Sequence, residues 1–94
     1  MTSIDAQSVL KRGADVRYRL IDGEAVVVRQ RAAEVLVLNE IAARILALAD
    51  GAAPVSAWLD ALAAEYDVDR STLERDVLGF AEELAAEGLL EPVA

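Results

Sequence analysis

Ninety-four residues, 55% hydrophobic and 28% charged, specify one folded domain with a single modest core, too small for a cleft walled by separate lobes. There is no cysteine and no histidine, which excludes disulfides, thiolate nucleophiles, imidazole bases and the usual zinc ligand sets. The net charge of −8 is uneven: residues 1–31 hold Lys11, Arg12, Arg17, Arg19, Arg29 and Arg31 against four carboxylates, whereas residues 32–94 hold three arginines against thirteen, a balance that repels a phosphate backbone and favours a basic or neutral partner.

The chain opens Met-Thr-Ser-Ile-Asp, without the basic region and apolar stretch of an export signal. No run approaches the roughly 18 apolar residues that span a bilayer. A cytoplasmic protein with no membrane partner is expected. Residues 1–94 are read as one domain, with 1–14 a loosely ordered N-terminal arm. Strand signals follow: residues 16–21 alternate apolar and basic side chains, and residues 24–29 contain the β-branched run Val26-Val27-Val28. Asp22-Gly23 between them is a hairpin signal, because a type I′ turn needs positive φ at both central positions. Glu34 to Leu38, short and rich in β-formers, gives a third strand that completes a meander and keeps a free edge.

From Asn39 the period changes. Leu38, Ile41, Ile45 and Leu48 recur at helical spacing, Asn39 suits the N-cap, and Asp50-Gly51 ends the helix. A second helix starts near Pro54 and carries the stripe Val55, Leu59, Leu62 and Tyr66, with Trp58 beside it. The third, over 71–87, opens with the capping box Ser71-Thr72-Leu73-Glu74 and faces the core with Leu73, Val77, Phe80 and Leu84. Gly88 suits a left-handed C-cap, after which Leu89-Leu90 folds back. The fold class is therefore α+β and winged-helix-like, a three-stranded antiparallel sheet followed by three helices. The four aromatic residues, Tyr18, Trp58, Tyr66 and Phe80, are read as core packing.

No catalytic constellation emerges. Acid/base chemistry needs two carboxylates at fixed geometry in a partly dry cleft, and Glu82-Glu83, adjacent on a helix, point about 100° apart. Asp67 to Ser71 resembles the start of a calcium loop but lacks its sixth-position glycine and twelfth-position glutamate. The glycines are isolated, so no phosphate loop exists. Gly79, inside the third helix and off its apolar face, either permits close approach of another backbone or has no role. No enzyme activity, metal or cofactor is expected.

Leu38-Asn39, Ala42, Ile45-Leu46, Asp50-Gly51, Leu62, Tyr66, Asp76-Val77, Phe80, Leu84 and Gly88-Leu89-Leu90 form an ordered set over residues 16–90. In order and spacing this set resembles PqqD-type proteins, also described as RiPP recognition elements. The resemblance implies a domain that binds the leader segment of a ribosomally synthesised precursor peptide and presents it to a modifying enzyme, such as a leader peptidase or a radical enzyme. In similar proteins the leader adds to the third strand and lies in the groove between that strand and the third helix. Carried onto this chain, the peptide-binding residues are Glu34, Val35, Leu36 and Val37 on the strand, and Leu73, Asp76, Val77, Phe80, Glu83 and Glu87 on the helix. A short edge strand beside a helix supports this independently, as a site for strand addition. Asp76, Glu83 and Glu87 fall within about 40° on the helix, where a basic or polar leader residue would be held.

Two alternatives stand beside it. A winged-helix DNA binder needs a basic recognition helix, yet residues 71–87 carry one arginine against five carboxylates, and no nucleic-acid partner is expected. A small regulatory subunit would dimerise through the exposed strand. A monomer or weak dimer is expected.

Overall fold

The computed structural model describes residues 4–93. The hairpin signal is realised. Strand β2 (Val16–Ile21) pairs antiparallel with β3 (Glu24–Arg29) in register from Ile21 opposite Glu24 to Val16 opposite Arg29. The turn residues Asp22 and Gly23 have φ of 52° and 84°, the two positive values that a type I′ turn requires. Strand β4 (Glu34–Leu38) pairs antiparallel with β3, so the sheet runs β2-β3-β4 and β4 is an edge. Ala25 and Val27 of β3 are fully buried and face the helices, while Val26 and Val28 face away, as the two-residue period dictates.

Helix α1 (Glu40–Leu48) follows directly, capped by the Asn39 side chain, which accepts the Ala42 N–H at 3.0 Å. Pro54 stands at the N-cap of α2 (Val55–Glu65), where a missing N–H costs nothing. Helix α3 (Arg70–Ala86) begins one residue before the expected start. Its cap is Asp69, not Ser71: the carboxylate accepts the Thr72 N–H at 3.2 Å, and the Ser71 hydroxyl donates to the same carboxylate. A charged acceptor at a helix N-terminus out-competes a hydroxyl. These bonds hold the Asp69 carboxyl below its ordinary pKa, the Ser71 hydroxyl contributing most. At the other end Gly88 adopts φ 80°, and the bonds Leu89 N–H to Leu84 O (2.9 Å) and Gly88 N–H to Ala85 O (3.0 Å) form a Schellman motif. Leu89 and Leu90 then turn back into the core, both nearly fully buried.

The expected α+β plan, a three-stranded antiparallel sheet with three helices, is present, and a second antiparallel sheet adds to it. In place of a loose arm over 1–14, residues Val9–Arg12 form strand β1 between β5 (Asp50–Pro54) and β6 (Leu90–Pro92). Residues 1–3 of that arm lie outside the described residues. The anchors are Leu10 and Leu90, whose burial fixes the strands against the helices. The first and second helices are therefore separated by a strand, and the third is followed by one.

The core contains Ile45, Leu46, Val55, Trp58, Leu59, Leu62, Val77 and Ala81 from the three helices, with Ala25 and Val27 beneath them. Among the described residues no polar or charged residue is buried there. Each fully buried leucine or valine contributes about 1.5–3 kcal/mol of hydrophobic stabilisation. Tyr18, Tyr66 and Phe80 are only partly buried, packing against the edge of this core. Arg44 and Glu65 join α1 to α2 through a two-pronged ion pair, and the Tyr66 hydroxyl donates to Glu40 beside it. No helix among the described residues is long and apolar enough to cross a membrane.

Candidate functional site

An open groove lies where the last turns of α3 pass the edge strand. A groove of about 450 Å³ is lined by Leu36, Val37 and Leu38 of β4, by Glu83, Leu84, Ala86 and Glu87 of α3 and its end, and by Leu89. Its floor is apolar because Leu36 and Leu38 point inward on alternate residues, toward Leu84 and Leu89 at the base of the core. Ala86 keeps the helix side chain short here. The rim is acidic, since Glu83 and Glu87, one turn apart, are both exposed.

A second depression of about 390 Å³ adjoins it along the helix, lined by Arg75, Asp76, Gly79, Phe80 and Glu83. Glu83 borders both. A Cβ added at Gly79 would meet nothing within 4 Å, so this glycine admits no neighbouring backbone within the chain and instead leaves the flank of Phe80 bare. Together the two depressions make a track along one side of α3, apolar at the β4 end and largely charged around Arg75 and Asp76, with Glu83 between them.

Beyond the track lies the open edge of β4. A strand edge exposes unpaired N–H and C=O groups on alternate residues, ready to pair with an added strand. The side chains of Val35 and Val37 are 65% exposed.

The structure sorts the residues expected at this site into three sets. Leu36, Val37, Glu83 and Glu87 line one groove, and Asp76 and Phe80 its continuation. Val35 lies on the edge strand with its side chain on the outer face, and Glu34 is engaged by Arg29 at 3.3 Å. Leu73 and Val77 line neither depression. They are 3% and 0% exposed and belong to the core between the helices. Leu38, Leu84, Ala86 and Leu89, outside the set carried over from the resemblance, also line the groove. The usable signal for Leu89 was the left-handed cap at Gly88, which turns the chain back beneath β4.

The family model for coenzyme PQQ synthesis protein D (PqqD) matches residues 24–90, a span that contains β3, β4, all three helices and the whole groove. The chain belongs to the PqqD family. Among solved structures, the PqqD-family chain is similar to TbiB1 in complex with the TbiA(beta) leader peptide, at a TM-score of 0.79 and 34% identity, over 89% of this chain and 98% of that one. It also shares its fold with lasso peptide synthetase B1 complexed with the leader peptide, at a TM-score of 0.77 and 24% identity, over 90% and 100%. A search of curated proteins finds no match.

Proposed function

We propose that this PqqD-family chain binds the leader segment of a ribosomally synthesised precursor peptide and delivers it to a peptide-modifying enzyme, such as a leader peptidase or a radical enzyme. The leader adds as a strand to the open edge of β4 and lays alternate side chains into the groove beside α3. The observation that carries this reading is the free edge of β4 directly above an apolar, acid-rimmed groove, in a chain 34% identical to one solved with a leader peptide. Backbone bonds to the edge supply affinity, and the groove supplies specificity. The chain itself acts as a binding module and performs no chemistry.

The acidic rim predicts which leaders bind best: those with a basic or polar residue beside the apolar ones. Fluorescence anisotropy with a labelled cognate leader peptide measures the affinity. Glu83→Lys or Asp76→Lys is expected to weaken binding by about 1–2 kcal/mol, roughly 5- to 30-fold, with little effect on folding. Unchanged affinity in both variants, with normal circular dichroism, contradicts the α3 groove.

A further inference from the structure

The outer face of the β2-β3-β4 sheet, turned away from the helices, has no cover within the described chain. Cross-strand pairing lays two rows across it, Arg17 opposite Val28 opposite Val35, and Arg19 opposite Val26 opposite Val37. Val28 is 39% exposed, Val35 and Val37 each 65%, and Ile21 at the hairpin end 49%. An antiparallel sheet with one wet face normally carries polar side chains there, and contiguous apolar surface marks an interaction site.

The charge beside the valines is equally distinctive. Lys11, Arg29, Arg44, Arg70 and Arg75 all form ion pairs. Arg17 and Arg19, both exposed, form none among the described residues; of the other two cations without one, Arg12 is held by the Leu46 carbonyl and Arg31 lies in the turn after β3. They stand at a depression of about 430 Å³ shared with Ile21, Val26 and Val28. In a chain of net charge −8, this face is a local island of unpaired positive charge next to bare valine.

We propose that this face docks the peptide-modifying enzyme, through an apolar enzyme surface bearing carboxylates opposite Arg17 and Arg19. The proposal rests on the leader-binding reading, and the geometry links the two. A leader added at β4 widens the same sheet by one strand, about 4.8 Å, so an enzyme seated on the outer face lies directly beside the bound peptide. A second copy of the chain fits less well, because on its own outer face only Glu24, at the hairpin end, offers the arginines a carboxylate.

Isothermal titration with the purified enzyme that modifies the cognate precursor tests the proposal, using wild type, an Arg17→Glu/Arg19→Glu double variant and Val28→Lys. None of these positions lies in the leader groove. Enzyme affinity is expected to fall at least about tenfold in each variant, with leader affinity on the same samples changed less than about twofold. Should Val28→Lys misfold, the double arginine variant decides alone. Unchanged enzyme affinity in the folded variants overturns the proposal. So does sedimentation of wild type as a dimer that the variants dissolve while still binding enzyme normally. If wild type binds no leader yet binds the enzyme in an Arg17/Arg19-dependent way, the leader reading fails and the docking face stands.

Discussion

Proline at Val35 or Val37 is expected to keep the fold and weaken leader binding, whereas proline at Leu36 is expected to unfold the sheet. The register assigns the two classes. Ile21 and Glu24 flank a two-residue turn and form the hydrogen-bonded pair nearest to it, so Glu24, Val26 and Val28 bond toward β2. Ala25, Val27 and Arg29 then bond toward β4, to Leu38, Leu36 and Glu34. The N–H groups of Val35 and Val37 are left at the open edge. Proline at either removes a donor the leader needs, at about 1 kcal/mol or more, roughly fivefold or more in affinity. Proline at Leu36 removes a ladder bond and disturbs an inward side chain. Circular dichroism and leader anisotropy on the three variants check the split. Equal leader affinity in Val35→Pro, Val37→Pro and wild type would exclude pairing at this edge.

Val77→Asp is expected to abolish folding. Val77 is 0% exposed, packed in the core with no cation nearby to pair with a new carboxylate among its hydrophobic neighbours. An unpaired buried charge costs several kcal/mol, comparable with the total stability of about 5–15 kcal/mol for a small domain. Its sequence neighbour Asp76 is exposed, and Asp76→Ala is expected to leave the urea midpoint nearly unchanged. A folded Val77→Asp protein with weakened leader binding would return Val77 to the site and contradict the core assignment.

Those adjacent residues show how far the sequence could be read. The 3.6-residue period put Leu73, Val77, Phe80 and Leu84 on one side of the third helix, which is correct, but a period does not say what covers that side. The upper part, at Leu73 and Val77, meets the other helices; only the last turns, from Glu83 to Glu87, reach β4. The Asp22-Gly23 turn, the Asn39 cap, the Gly88 cap and the edge strand over 34–38 were legible because each depends on a local chemical requirement. The second sheet was not. Strand β5 is Asp-Gly-Ala-Ala-Pro, with no β-former, and β1 spans four residues, too few to show a period. Strand β1 forms because Leu10 is held by tertiary burial, and β5 forms by pairing with it. The Asp69 cap is hidden in the sequence because Ser71 and Glu74 also satisfy a capping pattern, and a pattern does not rank a carboxylate against a hydroxyl.

The central claim is that a peptide pairs with β4 and lies along α3. Amide hydrogen exchange with and without the cognate leader tests it most directly, since pairing closes the N–H groups of an edge strand to solvent. Leader binding is predicted to slow exchange in residues 34–38 and along residues 73–87, leaving the Asp22-Gly23 turn unchanged. Protection confined to the hairpin turn or to α2, with β4 exchanging as in the free protein, would contradict it.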